Sequence, residues 1–293
     1  MNNEEFIILG SSGFVGSSIQ YYISHIKQKH FVHFISRSKN KLVDFEPSLR
    51  FYSGCILDNL NQIILKAGKN KKFIIINLIG KITNDLDKLN DVEKLTRSFL
   101  SILNKKNTKR FLHISSSAVY DGLNKKINIT EKTCPYSNTN YGKSKLNLEN
   151  LMMSSSIREI TTIIRVGNIL GGDSLTKNFQ TDNKQKKILE IYDDGLSALR
   201  TYIDPLNFSR LLFKIANKNL INNSVYNCGT LKPFFMQDVL KALNVDYEIT
   251  YSNNNKNQYF TLNINKISKE LNNKLRYNLD EMALNTIAVI NKQ

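Results

Sequence analysis

Cysteine is scarce in this chain: Cys55, Cys134 and Cys228 stand far apart, with no CxxC pair and no Cys/His ligand spacing. That excludes a disulfide framework and a structural zinc site, leaves no metal expected, and fits a reducing cytosol. Proline and glycine are also few and are spread among periodic segments instead of gathered into linkers, so a disordered chain is not indicated. No apolar run approaches the ~20 residues that span a bilayer. The opening "MNNEEFIILG" is acidic before its first apolar run, unlike the basic start of a signal peptide. A cytoplasmic protein without a membrane partner is expected.

Negative charge is the minority sign: 41 Lys and Arg against 25 Asp and Glu leave a net charge of +16. A clustered basic face would attract nucleic acid over a long range. The lysines instead fall in short groups, such as Lys69 to Lys72, Lys105 to Lys109 and Lys184 to Lys187, scattered along the chain. Solvated faces are the expectation and a nucleic-acid partner is not, although a basic surface favours an anionic small ligand.

What is present is a rhythm. Near-continuous apolar runs at 6–10, 31–37, 49–54, 72–80, 110–116 and 161–169 alternate with helical patterns. Such runs read as parallel strands covered by helices on both faces, so the fold class expected is α/β, a Rossmann doubly wound parallel sheet. After Leu170 the rhythm loosens into a polar stretch near 181–187, an apolar run at 188–192 and helical patterns near 205–216, 234–243 and 280–289. The division expected is a dinucleotide-binding domain over 1–170, to which some later segments return, and a mainly substrate-binding α/β lobe over 171–293.

The first run leads into "GSSGFVGSSI", which sets Gly10, Gly13 and Gly16 between a strand and a helix. Glycines there permit a tight turn and close approach of a pyrophosphate to a helix N-terminus. An ordinary strand-to-helix turn is the competing reading, and position at the first strand favours a dinucleotide. At the end of the second run, where a chain binding NAD usually carries an acid, this one reads "FISRSKN". Arg37 and Ser38 are cationic and hydroxyl donors suited to a 2′-phosphate, which favours NADP with NAD as the alternative. Tyr141 and Lys145 in "NYGKSK" are four positions apart and share a helix face. Alone, the pair is either a catalytic acid with its helper or two polar groups on a wet face.

Taken in order, "GSSGFVG", "IIINLIG", "HISSSAVY", "YGKSK", "IIRVGNILGG", "LRTYID" and "VYNCG" resemble the extended short-chain dehydrogenase/reductases, the branch of nucleotide-sugar epimerases, dehydratases and ketoreductases. The resemblance covers nearly the whole chain. It implies that Tyr141 donates and accepts the proton, that Lys145 assists it and holds the nicotinamide ribose, and that Ser116 orients the substrate. It further implies a cofactor site of Gly10, Ser12, Gly13, Phe14, Val15, Gly16, Arg37, Ser38, Cys55, Ile56, Leu78, Gly80, Tyr141, Lys145 and Val166. Ser117, Asn168 and Arg200 are implied on the substrate side, Arg200 at the nucleotide diphosphate, where a guanidinium fork suits phosphate. Arg165 to Asn168 match the segment passing nicotinamide and diphosphate.

The chain departs from the family pattern at Cys55, where Asp is usual. It also has Ser117 and Ala118 where the sugar-nucleotide dehydratases carry an Asp-Glu pair and where enzymes making GDP-fucose carry a cysteine in place of Ala118. Without the acid pair, elimination of water lacks its mechanism. Three readings remain. One is an NADPH-dependent reductase of a nucleotide-linked 4-keto-6-deoxy sugar, serving surface polysaccharide; another is an NAD-dependent nucleotide-sugar 4-epimerase. The third, of another class, is a non-catalytic Rossmann protein that senses NADP or binds a partner. A homodimer built on helices near 85–106 and 138–156 is expected from the resemblance.

Overall fold

The computed structural model describes residues 5–26, 30–38, 48–68, 71–123, 127–177, 186–218, 223–252, 258–273 and 275–292. In chain order the first part holds β1 (Glu5–Leu9), α1 (Phe14–His25), β2 (Phe31–Ser36), β3 (Leu49–Ser53), α2 (Ile56–Ala67), β4 (Phe73–Asn77), α3 (Leu86–Ile102), β5 (Thr108–Ser116), α4 (Asn140–Met153) and β6 (Thr161–Val166). All six expected runs are strands. The run at 161–169 breaks at Gly167, whose N–H donates to Cys228 O, while Asn168 turns away to donate to Thr201 O and begins β7 (Asn168–Ile169). The chain thus leaves the main sheet for a smaller one three residues before the expected end of the strand.

Beyond it come β8 (Lys187–Ile191), β9 (Leu199–Arg200), β10 (Tyr202–Ile203), α5 (Pro205–Asn217), β11 (Ser224–Cys228), β12 (Phe234–Phe235), α6 (Met236–Ala242), β13 (Tyr247–Tyr251), β14 (Tyr259–Phe260), α7 (Asn265–Glu270) and α8 (Leu279–Ile290). The polar stretch near 181–187 lies mostly outside the described residues.

The main sheet has the order β11-β6-β5-β4-β1-β2-β3, and every pair in it is parallel. Strand order reverses between β1 and β4, so the carboxyl ends of these two strands open the crevice where ligands of such sheets bind. Alternate strand residues feed opposite cores. Phe6, Ile8, Phe34, Leu112 and Ile164 pack with Phe208, Leu212 and Phe213 of α5. On the other face, Ile7, Leu9, Ile75 and Phe111 pack with Leu60 of α2, Phe99 of α3 and Met152 of α4. Both faces are dry, which is why the strands read as unbroken apolar runs.

α5 and β11, from beyond residue 170, rejoin the main sheet, α5 being started by buried Asp204, which caps Leu206 and Asn207 with Pro205 at the first turn. The short strands β9, β12 and β14 form a separate three-stranded sheet at the mouth of the crevice. Among the described residues no helix is long and apolar enough to cross a membrane.

Candidate active site

A cavity of about 1320 Å³ opens at the carboxyl edge of the sheet. One end is walled by Gly10, Gly13, Phe14, Val15 and Gly16, the middle by Leu78, Gly80, Ser116, Ser117, Tyr141, Lys145 and Val166, and the far end by Asn168, Asp173, Arg200 and Phe260. Fourteen of the residues expected at the site from sequence therefore share one cavity.

The first end fits a dinucleotide. α1 begins at Phe14, its N-cap Gly13 makes no side-chain cap bond, and Gly13, Phe14, Val15 and Gly16 at this helix N-terminus line the cavity. Gly16 lets the loop close tightly, since a Cβ there would lie 2.2 Å from Ser11 O, whereas a Cβ at Gly13 would find nothing nearer than 3.7 Å, leaving room for a phosphate. Ser12, Arg37, Ser38, Cys55 and Ile56 do not line the cavity. Arg37 and Ser38 are exposed just past β2, Cys55 is the exposed N-cap of α2, and Ile56 is buried in the α2 core. Ser36 Oγ donates to Ser38 O at 2.6 Å and so shapes that turn.

Tyr141 reaches Ser116 because α4 is brought unusually close to the turn after β5. Gly142 allows this: a Cβ there would lie 2.3 Å from Ala118 O and 2.1 Å from Ser137 Oγ. Thr139 caps the helix by accepting from Gly142 N at 3.1 Å, and its own hydroxyl donates to Asp121 Oδ2 at 2.5 Å. Asn84, from the loop after β4, accepts from Tyr141 N at 3.2 Å. The Asp121 carboxylate, although it lines the cavity, is spent on this scaffold.

Tyr141 is half-buried and hydrogen-bonded to Ser116; burial pushes its phenol above the ordinary value, and the Ser116 bond pulls it partly back. Lys145 is only 7% exposed, and its Nζ donates to Ile114 O at 3.0 Å. Burial pulls that ammonium from 10.5 down to about 8, against the opposing attraction of Glu149. The resting pair is a protonated phenol beside an ammonium held without an exposed stem. Ser116 Oγ also accepts from Ala118 N at 3.1 Å, which fixes the hydroxyl toward the cavity.

At the far end Arg200 is anchored by the β9–β14 pairing. Its guanidinium donates to Leu199 O at 3.0 Å, to Gln258 O and to Gln258 Oε1, and lies 5.9 Å from the Phe260 ring centre. Asn168 Nδ2 donates to Asp173 Oδ2 at 3.1 Å, and burial raises the Asp173 carboxyl despite bonds from Thr176. Gln258 and Phe260 carried no sequence signal, because the two-residue strand β14 brings them in, and Asp173, in the turn after β7, carried none either. Arg165 does not line the cavity: its side chain turns under the sheet to Glu149, with Nη2 to Oε2 at 2.6 Å. Among the described residues no group of His, Cys, Asp and Glu is placed to hold a metal.

The family model for the NAD dependent epimerase/dehydratase family matches residues 6–229. No curated protein matches the sequence. Among solved structures, the chain is similar to the UDP-glucose 4-epimerase of Bifidobacterium longum in complex with NAD+ and UDP, at 18% identity, covering 99% of this chain and 98% of that one with a TM-score of 0.79. It is similar to the Bordetella bronchiseptica enzyme WbmG in complex with NAD, at 16% identity, 99% and 95% coverage and a TM-score of 0.77. It is also similar to the dTDP-glucose 4,6-dehydratase of Bacillus anthracis in complex with NAD, at 18% identity, 99% and 97% coverage and a TM-score of 0.74. At these identities the likeness is one of fold.

Proposed function

The chain belongs to the NAD-dependent epimerase/dehydratase family, and from that premise we propose that it reduces a nucleotide-linked 4-keto-6-deoxy sugar with NADPH. The observation that carries this reading is the grouping of Ser116, Tyr141 and Lys145 on the wall of a cavity that begins at the N-terminus of α1 and ends at Arg200. Gly10, Gly13 and the first turn of α1 would hold the pyrophosphate, Lys145 the ribose, and Arg37 with Ser38 the 2′-phosphate. Bound there, reduced nicotinamide supplies hydride to a carbonyl carbon.

The chain's own residues manage the oxygen. Ser116 Oγ and Tyr141 OH direct the ketone, and Tyr141 passes its proton to the developing alkoxide. Its raised phenol is protonated beforehand, as a donor must be. The Lys145 ammonium, still largely protonated at neutral pH, stabilises the phenolate left behind. Arg200 would grip the diphosphate, and Asn168, steadied by Asp173, lies beside the same path. Ser117 and Ala118 offer no acid and base for elimination of water, so a dehydratase reading has no residues to carry it.

An NAD-dependent 4-epimerase is the second reading, and the observation favouring it is that Arg37 sits exposed and outside the cavity lining. A non-catalytic sensor gains nothing from a proton donor joined to a serine and backed by a buried lysine. A homodimer through α3 and α4, which lie side by side, and a division near residue 170 complete the proposal.

The test incubates purified protein with NADPH or NADH and a panel of nucleotide 4-keto sugars, following the absorbance of reduced cofactor. Net oxidation of NADPH, lowered by about 10²–10⁴-fold in Tyr141→Phe, is the expected result. Equal rates with NADH overturn the role of Arg37, interconversion of sugars with no net cofactor turnover promotes the epimerase, and an unaffected Tyr141→Phe overturns the catalytic assignment.

A further inference from the structure

Lys145 spends its hydrogen bond on a neutral acceptor, Ile114 O, so that bond leaves its buried charge without a counter-ion. The opposite charge comes from one turn further along α4, where Glu149 is 3% exposed. Glu149 is clamped from the sheet side. Arg165 donates from Nε to Oε1 at 3.0 Å and from Nη2 to Oε2 at 2.6 Å, and Ser115 Oγ donates to Oε1 at 2.5 Å. Arg165 is itself fixed by Tyr120, whose hydroxyl accepts from Nη1 at 2.5 Å and whose ring centre lies 4.9 Å from the guanidinium carbon. Ser115 and Arg165 are register partners on β5 and β6, and the next residue of each strand, Ser116 and Val166, lines the cavity.

We infer that Glu149 is a positioning residue for the proton-transfer pair: its carboxylate, held by Ser115 and Arg165, keeps Lys145 charged and locks α4 against β5 where Tyr141 meets Ser116. The inference rests on the roles proposed above for Tyr141 and Lys145. The neighbouring groups leave Glu149 as the source of that charge balance. On α4, Tyr141 is a neutral phenol; from β5, His113 is fully buried and held well below its ordinary value by burial and by Lys145, so it is neutral; from β6, Arg165 is positive but engaged by the same carboxylate; Tyr120, raised by burial, is neutral. Glu149 is the group that pushes Lys145 upward against burial.

Glu149→Gln keeps the shape and removes the charge. The test follows Lys145 by NMR through a pH titration of the full-length, lysine-labelled chain, with the signal assigned by its loss in Lys145→Met and with thermal unfolding of each variant recorded. In Glu149→Gln the Lys145 midpoint falls by about one pH unit or more, roughly a tenfold loss of ammonium at fixed pH within the window. Glu149→Asp, which keeps the charge, stays near wild type. Glu149→Gln/Arg165→Gln, which removes both buried charges and so guards against misfolding of the single variant, falls between. Coincident midpoints in all folded variants, with only the unfolding temperature changed, reduce Glu149 to a structural clamp and overturn the inference. The titration needs no sugar, so its outcome is separate from that of the substrate panel.

Discussion

Replacing Lys145 by Met should make the protein more stable while disabling it. The ammonium is 7% exposed, and burial takes its pKa from 10.5 to about 8. At ~1.4 kcal/mol per pH unit that displacement opposes folding by ~3 kcal/mol at neutral pH. Methionine fills nearly the same length with an apolar stem and loses the bond to Ile114 O, worth ~1 kcal/mol net. Glu149 is not orphaned by the change, because Arg165 and Ser115 still hold it. The balance is ~2 kcal/mol in favour of the variant, a rise in unfolding temperature of roughly 4 °C or more.

The pH dependence has a definite sign. The folded protein gives up the Lys145 proton near pH 8 and the unfolded chain near 10.5, so between those values the unfolded state binds more protons and wild-type stability rises with pH. The advantage of Lys145→Met is therefore full below about pH 8 and shrinks toward pH 10.5. Thermal or urea unfolding of both proteins from about pH 7 to about pH 10 reads this directly. A variant less stable than wild type at neutral pH, or a difference that stays constant across the range, refutes the reasoning. Activity in the substrate panel should be lost throughout, so the lysine is retained for chemistry at the expense of stability.

Gly80→Ala should act on the same ammonium from the other side. A Cβ there would sit 2.9 Å from Lys145 Nζ, the free end of a flexible side chain, so the fold survives with an unfolding temperature close to wild type while the ammonium is displaced. A fall in kcat of roughly 10–100-fold is expected, and unchanged turnover counts against the placement of Lys145. Arg200→Gln should raise KM for the nucleotide sugar and lower kcat/KM by roughly 10–100-fold, the worth of a charge-assisted bond to phosphate. Cofactor affinity, measured by fluorescence of the reduced form, should be unmoved, and a loss there would place the arginine at the wrong end of the cavity.

The strand pattern of the main sheet was legible because both faces of each strand are dry, which writes itself as unbroken runs such as Ile74 to Ile76. The glycine loop and the Tyr141–Lys145 spacing were legible because each depends on residues close together in sequence. Gln258 and Phe260 were not, since they arrive through β14 pairing with a two-residue strand about 60 positions earlier, and two residues carry no period. Glu149 and Arg165 were opaque for another reason. A Glu on a helix and an Arg in a strand read as surface charge and as a site cation, and only the packing of α4 on β5 and β6 turns them into a buried pair. Arg165 in particular was expected along the nicotinamide path, yet its side chain takes the opposite face of the sheet from the cavity-lining Val166, as strand alternation requires.

The same alternation explains why the site can hold its charges apart. Successive residues of β5 and β6 serve two purposes: Ser116 and Val166 line the cavity, while Ser115, also at the cavity wall, and Arg165, outside it, turn their side chains to Glu149. On α4, Tyr141, Lys145 and Glu149 follow at intervals of four, so phenol, ammonium and carboxylate descend one helix face from the cavity into the core. Burial favours the neutral form of each ionisable group, which raises the phenol and lowers the ammonium. A phenol that keeps its proton is ready to give it to an alkoxide, but withdrawing a proton from a sugar alcohol would first require that phenol to ionise in a setting that opposes it. Reduction can begin from the resting state of this site, whereas oxidation of a sugar alcohol would draw on positive charge beside Tyr141, from the Lys145 ammonium and from an oxidised nicotinamide bound there.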